Sequence, residues 1–260
     1  MRNVIKRIAN TILGERLAFR IARSLRPRDP EEAVADERRK VMYAQLVSPG
    51  DLCFDVGANI GNRVAPLLAV GARVVAVEPQ PECYRVLDLR FGKRIELVRK
   101  GLAAEPGTMQ MYLSKEHVLS SFSKEWIDTV QQGRFSHTRW DRTITVEMTT
   151  LDALIRTYGR PRFIKIDVEG FESTVLSGLS RSVPYISFEY TLPEQRDKAI
   201  ACIDLIHRSD AGTRFNHSKG ETMEWAWTEW LDHAAMRAWL QSDAPDVKGF
   251  GDIYARSSDA

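Results

Sequence analysis

DLCFDVGANIGN, residues 51–62, decides the reading of this 260-residue chain. An apolar-leaning run meets Asp55, and a turn crowded with Gly57, Ala58, Asn59 and Gly61 follows. A short apolar run bounded by turn residues reads as a strand buried on both faces. Glycine at its end either makes a tight turn or lets a ligand approach the backbone with no Cβ between them.

Outward from this stretch, strands and helices alternate. ARVVAVEP (72–79), IELVRKGLA (95–103), RFIKIDVEG (162–170) and YISFEY (185–190) read as buried strands. PECYRVLDLRF (81–91), LDALIRTYG (151–159), FESTVLSGL (171–179) and EQRDKAIACIDLIHRS (194–209) read as helices between or after them. A further helix is expected from about residue 30 to 47, and GNRVAPLLAV (61–70) opens another. TMQMYLS (108–114) and TITVEMTT (143–150) alternate as half-exposed strands do, and GDIYARS (251–257) is a candidate last strand. Apolar strands separated by helices predict a three-layer α/β sandwich around a mostly parallel sheet.

A hydrophobic content of 43% with 28% charged residues suits a globular core. No run reaches the ~20 apolar residues of a membrane span, and no secretory signal is expected. Cys53, Cys83 and Cys202 form no CxxC pair, which argues against a disulfide framework or a zinc site. A cytoplasmic location is the expectation. The net charge of +2 hides an asymmetry: residues 1–28 hold eight Arg/Lys against Glu15, and the rest is acidic on balance. Residues 1–29 are expected to form a basic amphipathic helical extension, either packed on the body or lying peripherally on an anionic inner membrane face. Nucleic acid is disfavoured as a partner because no stacking aromatics accompany the charge.

Three cofactors compete for the turn after the first strand. A dinucleotide fingerprint would carry a glycine where Asn59 stands, and Asp55 would repel a pyrophosphate. The GK[ST] of a P-loop is absent. S-adenosylmethionine carries an ammonium, a sulfonium and a ribose but no phosphate. Asp55 near its cationic end and Glu78, at the tip of the second strand, on its ribose both suit it.

SPGDLCFDVGANIGN, VVAVEPQPECYRVL, TTLDALI, FIKIDVEGFESTVLSGL and ISFEY follow in order. Together they resemble the FkbM-type family of S-adenosylmethionine-dependent methyltransferases over about residues 48–190. Arg63, Val64 and Gln80 depart from that family's usual pattern. The resemblance implies a class I methyltransferase (Rossmann-like) fold; with no repeats and no low-complexity linker, one methyltransferase domain is expected over residues 30–260, with a Trp-rich elaboration at about 212–245 beyond the resemblance. The resemblance also implies that Asp55, Gly57, Ala58, Asn59 and Gly61 hold the methionine part, that Glu78 with Pro79 holds the ribose, and that Gly101 and Leu102 border the adenine.

KIDVEGFE (165–172) supplies the chemistry. Lys165, Asp167 and Glu169 share a face if the strand continues, or splay into a pocket if Gly170 permits a bend. Asp167 is the expected general base or acceptor-positioning acid, with Glu169 or Glu189 orienting the acceptor. These acids could also hold Mg²⁺, although the primary reading assigns no metal site. His117 and His137 flank an inserted segment that could cap the pocket through Ser120 and Ser121, and a histidine from it is the rival base. Trp225, Trp227, Trp230 and Trp239 stand at helical spacing, which suits core packing, a dimer surface or a sugar-binding face. The expected activity is O-methylation of a hydroxyl on a glycan, glycolipid or polyketide-like metabolite. The rivals are a nicotinamide-dependent oxidoreductase and a non-catalytic, membrane-recruited interaction module.

Overall fold

The computed structural model describes residues 30–133, 135–242 and 248–260, so the basic arm expected over residues 1–29 lies outside the described chain. The elements run α1 (Pro30–Tyr43), β1 (Leu52–Val56), α2 (Val64–Ala69), β2 (Arg73–Val77), α3 (Pro81–Phe91), β3 (Ile95–Val98), β4 (Gly101–Leu102), β5 (Gly107–Leu113) and α4 (Lys124–Gln131). They continue with β6 (Arg142–Thr149), α5 (Leu151–Tyr158), β7 (Phe163–Ile166), α6 (Glu172–Leu176), β8 (Tyr185–Leu192), α7 (Arg196–Ser209), β9 (Arg214–Lys219), α8 (His233–Gln241) and β10 (Gly249–Arg256).

A seven-stranded sheet has the order β3-β2-β1-β7-β8-β10-β9. Its neighbours from β3 to β8 are parallel, and β10 runs antiparallel to both β8 and β9. The expected α/β sandwich with a mostly parallel sheet is the one observed. Every residue of β1 is buried because helices cover both faces, and the period of two sorts its side chains between them. Phe54 and Val56 join Val75, Ile164 and Phe188 beneath α5 to α8, where Leu154, Val175, Ile203 and Met236 pack. Cys53 joins Val74, Ala76 and Phe163 beneath α1 to α3, against Tyr43, Leu67 and Leu87.

The chain builds β1, β2 and β3 outward to one side and later places β7 on the other side of β1. Strand order reverses there, and ligands of open α/β sheets bind beyond the strand ends at such a point.

The structure departs from the sequence expectations in four places. IELVRKGLA splits: β3 stays in the main sheet, while β4 leaves it to pair with β6 in a second sheet of order β4-β6-β5. The inserted segment contains α4, capped by Ser123 Oγ accepting from the Trp126 N–H at 3.1 Å. RFNHSK, with Phe215 its sole large apolar side chain, is strand β9 because β10 supplies its ladder. Trp225, Trp227 and Trp230 precede α8 on irregular chain and only Trp239 lies on the helix. That chain bonds to β9 in place of itself: Ala226 N–H donates to His217 O at 2.9 Å, and Asn216 Nδ2 donates to Trp227 O at 2.8 Å.

Candidate active site

A cavity of about 420 Å³ opens where the β1 and β7 ends meet. Gly57, Ala58 and Asn59 form part of its lining, joined by Glu78 and Pro79 from the β2 end and by Gly101 and Leu102 from β4. Asp167, Glu169 and Glu189 line it from β7 and β8. Of the expected site residues, Asp55 and Gly61 are not part of this lining, and each is displaced for a physical reason.

Asp55 points along the face shared with Cys53, between β1 and the first helical layer, and is 1% exposed. It pairs in register with Lys165 of β7, and its Oδ2 has no hydrogen-bond partner among the described residues. Burial pushes its carboxyl up to about 7, with Lys165 and Arg63 pulling the other way. The acid thus lies beneath the turn and is not part of the cavity lining. Gly61 has φ +88, and a Cβ there would overlap the Phe91 ring and approach Leu87 to 2.9 Å. It is glycine so that the turn can sit on α3.

Gly57 has φ +81, and a Cβ there would fall inside the van der Waals envelope of the Asp167 carbonyl oxygen. The approach that demands glycine is therefore made by the β7 loop, which the β1 turn must pass closely to build the cavity. Asn59 also has a positive φ, 49°, which asparagine tolerates better than most residues. This aims its N–H at Glu78 Oε2, 2.8 Å away, while the Gln80 N–H donates to Oε1 at 2.8 Å. Glu78 is 2% exposed. Burial lifts it to about 7, against the two backbone bonds. Each carboxylate oxygen has lone-pair capacity left, so a buried acceptor faces the cavity where a ribose diol could donate. Beyond it, Leu102, Met111 and Phe122 present apolar surface of the kind a nucleobase takes. These residues fit an adenosine-bearing cofactor.

Past β7 the chain bends sharply: Glu169 has φ 53 and Gly170 φ 83. Four contacts staple this bend. Glu172 Oε1 accepts from the Val168 and Gly170 N–H groups at 3.1 and 3.2 Å. Ser121 Oγ donates to Glu169 O at 2.7 Å and Lys198 Nζ to Gly170 O at 3.0 Å. A left-handed glutamate held this firmly marks a site where conformation has been fixed against local preference. The bend places one carboxylate oxygen each from Asp167, Glu169 and Glu189 within 4.8 Å of one another. Burial, and then the charge of Asp167, pushes Glu169 and Glu189 well above the ordinary glutamate value.

Lys165 is fully buried and donates to Asp252 Oδ1 at 2.6 Å, with Asp167 Oδ2 3.5 Å away. Although burial opposes its charge, Asp167 and Asp252 outweigh that and raise its pKa. Asp252 lies on β10 opposite Glu189. The acid trio therefore rests on a buried cation.

In the cap, His117 and Ser120 line the cavity, whereas Ser121 serves the bend and His137 is exposed. Phe171, from the KIDVEGFE run, also lines it, as do Arg39, Lys100, Val118, Glu221 and Phe250, which carry no local motif. Asp252 did carry a signal, an acid inside the apolar-leaning run GDIYA. No helix among the described residues is long and apolar enough to cross a membrane.

The family model of the FkbM methyltransferase domain matches residues 55–245. A hexuronic acid methyltransferase, AglP, from Haloferax volcanii is 27% identical over 144 residues, covering 53% of this chain and 54% of that protein. The ribosomal RNA small subunit methyltransferase A of Anaeromyxobacter dehalogenans is 44% identical over 75 residues, covering 28% and 25%. The chain thus spans between a quarter and about half of these curated relatives. Among solved structures, a TehB-like SAM-dependent methyltransferase from Corynebacterium glutamicum aligns with TM-score 0.44 at 9% identity, over 96% of this chain and 100% of that one. An O-methyltransferase from Bacillus cereus in complex with SAH aligns with TM-score 0.41 at 14% identity, over 95% and 91%.

Proposed function

The chain belongs to the FkbM methyltransferase family, and from that premise we propose that it transfers a methyl group from S-adenosylmethionine to a hydroxyl of a glycan, a glycolipid or a polyketide-like metabolite. The observation that carries this reading is the arrangement of two kinds of carboxylate around one cavity. Glu78 is held by backbone donors where a ribose would lie, and the acid trio sits on the β7 and β8 side. Gly57, Ala58 and Asn59 would hold the amino-acid end, and Leu102, Met111 and Phe122 the base. Asp55 acts from beneath the turn. A sugar acceptor draws support from the hexuronic acid methyltransferase among the relatives.

When bound, the cofactor supplies a methyl on a sulfonium whose departure leaves a neutral thioether. The chain's part is alignment, which can contribute on the order of 7–11 kcal/mol, and proton transfer. Asp167, resting against Lys165, takes the acceptor hydroxyl's proton. Glu169 and Glu189, pushed toward their protonated forms, donate hydrogen bonds to neighbouring acceptor oxygens. This division needs no metal. A cytoplasmic setting, with residues 1–28 as a peripheral contact to an anionic membrane, accompanies the proposal.

The test is a melting-temperature panel with S-adenosylmethionine, S-adenosylhomocysteine and NAD on the wild type and Asp167→Asn. A ligand at ~100 times its Kd adds about 2.7 kcal/mol, on the order of 5–10 °C for a chain of this size. Both sulfur nucleosides should stabilise both proteins and NAD neither, while Asp167→Asn loses about 10²–10⁴-fold in turnover. Stabilisation by NAD alone would refute the reading.

A further inference from the structure

One part of the cavity lining takes no part in the proton transfer described above. Arg39 of α1 and Arg63, the residue before α2, both line it, with side chains 11% and 12% exposed. Both converge on one carboxylate. Arg63 donates from Nη1 to Glu221 Oε2 at 2.9 Å and from Nη2 to Oε1 at 2.7 Å, the parallel geometry in which guanidinium binds a carboxylate. Arg39 Nη2 adds a third bond to Oε2 at 3.0 Å. Burial opposes ionisation of Glu221, but the two arginines outweigh it and hold its carboxyl below the ordinary value.

The three partners are not equally exposed. Both guanidiniums are nearly buried, whereas the Glu221 side chain is 47% exposed and rides on the turn that follows β9 at Gly220. Besides Glu221, the pair has two further ion-pair partners among the described residues. Asp36 meets Arg39 at 3.2 Å, and Asp252, committed to Lys165, lies 3.9 Å from Arg63. Arg39 also keeps a buried Nε–H with no acceptor among the described residues. Two nearly buried cations face a cavity, with a half-exposed carboxylate between them.

We propose that Arg39 and Arg63 form a carboxylate-binding fork, and that Glu221 is its resident occupant, displaced when the carboxylate of a ligand enters. This rests on the methyl-donor reading. The exchange conserves charge at the fork, and Glu221 swings from an already half-wet position into water, so the two anions compete on similar terms. Two sources offer the required chemistry: the amino-acid end of the methyl donor, or an acidic group on the acceptor.

Calorimetric titration separates them. The probes are S-adenosylhomocysteine and 5′-methylthioadenosine, which has the same nucleoside and thioether without the amino-acid end. Glucuronate and glucose are added in a second series over saturating S-adenosylhomocysteine. If the donor's carboxylate occupies the fork, Arg63→Met weakens S-adenosylhomocysteine by about tenfold or more. It leaves 5′-methylthioadenosine within about threefold, which also reports an intact fold, and Glu221→Gln tightens S-adenosylhomocysteine. If the acceptor's carboxylate does, both variants keep both nucleosides. Glucuronate, but not glucose, then binds the wild type, is lost in Arg63→Met and is strengthened in Glu221→Gln.

The proposal is overturned if Arg63→Met spares both S-adenosylhomocysteine and glucuronate, or if Glu221→Gln weakens binding as Arg63→Met does. It is equally overturned if glucuronate fails to bind a wild type whose S-adenosylhomocysteine affinity ignores Arg63. A wild type that binds neither nucleoside refutes the methyl-donor reading itself, and the fork with it.

Discussion

Replacing Lys165 with methionine should destabilise the fold by about 3–5 kcal/mol, the range for breaking a buried ion pair from one side. Methionine matches the length of the lysine stem and removes the charge. The ammonium it deletes is fully buried, 2.6 Å from Asp252 Oδ1 and 3.5 Å from Asp167 Oδ2. Asp252, 3% exposed, then keeps Arg63 at 3.9 Å as its nearest ion-pair partner. Asp55 in turn loses the largest attraction opposing its burial. Asp252→Asn should cost less, because Lys165 retains Asp167 and the Ile166 carbonyl at 3.3 Å. With both replaced, no uncompensated charge remains at this contact. The double variant should therefore lose about 1–3 kcal/mol less than the two single losses combined. Urea unfolding at pH 7, followed by the fluorescence of tryptophans such as the buried Trp126, reads all four proteins. A Lys165→Met loss below about 1 kcal/mol, or strictly additive losses, would refute the account of the acid trio resting on a buried cation.

Two further outcomes follow from the geometry. Gly57→Ala should lose about 2–5 kcal/mol, combining left-handed strain with overpacking against the Asp167 carbonyl, and should weaken S-adenosylhomocysteine; an alanine variant with wild-type melting and affinity contradicts the stated reason for that glycine. Asp55 binds its proton more tightly folded than unfolded, with the value raised from 3.8 to about 7. Between those values the folded state holds the extra proton, so this group's contribution to stability falls as pH rises from about 4 to 7. Asp55→Asn removes that slope, and its stability relative to the wild type should rise by roughly 2–4 kcal/mol across the window. Melting curves at pH 4.5 and 8 that keep the two proteins parallel would rule this out.

The sheet was legible because its strands are apolar runs and its turns carry glycine at fixed offsets. DVGANIG and KIDVEGFE, legible for the same reason, both contribute residues to the cavity lining. Asp55, expected at the cationic end of the cofactor, is not part of the cavity lining. Residue 55 still obeys the period of two and shares a face with Cys53, so alternation alone puts it under the helices. Arg39, Glu221 and Phe250 could not be read, since each reaches the cavity from a remote element with no local pattern. The four tryptophans pack against the core, as their spacing suited, but three do so from irregular chain, because residues 226–231 borrow hydrogen bonds from β9 in place of forming a helix.

Strand β10 lies between β8 and β9, although β9 comes before it in the chain. In the sheet β9 is paired through β10, so β9 joins it with β10 or after it, and β8 keeps an open edge until β10 pairs with it. Lys165 waits for Asp252, 87 residues later, about 4–17 s of synthesis at ~5–20 residues per second. The strand that closes the sheet is also the strand that supplies the counter-ion beneath the acid trio. A molecule that stalls before insertion lacks its edge and its site together. Misassembly should then leave inert chains with a sticky edge for quality control to find, and not half-working enzymes.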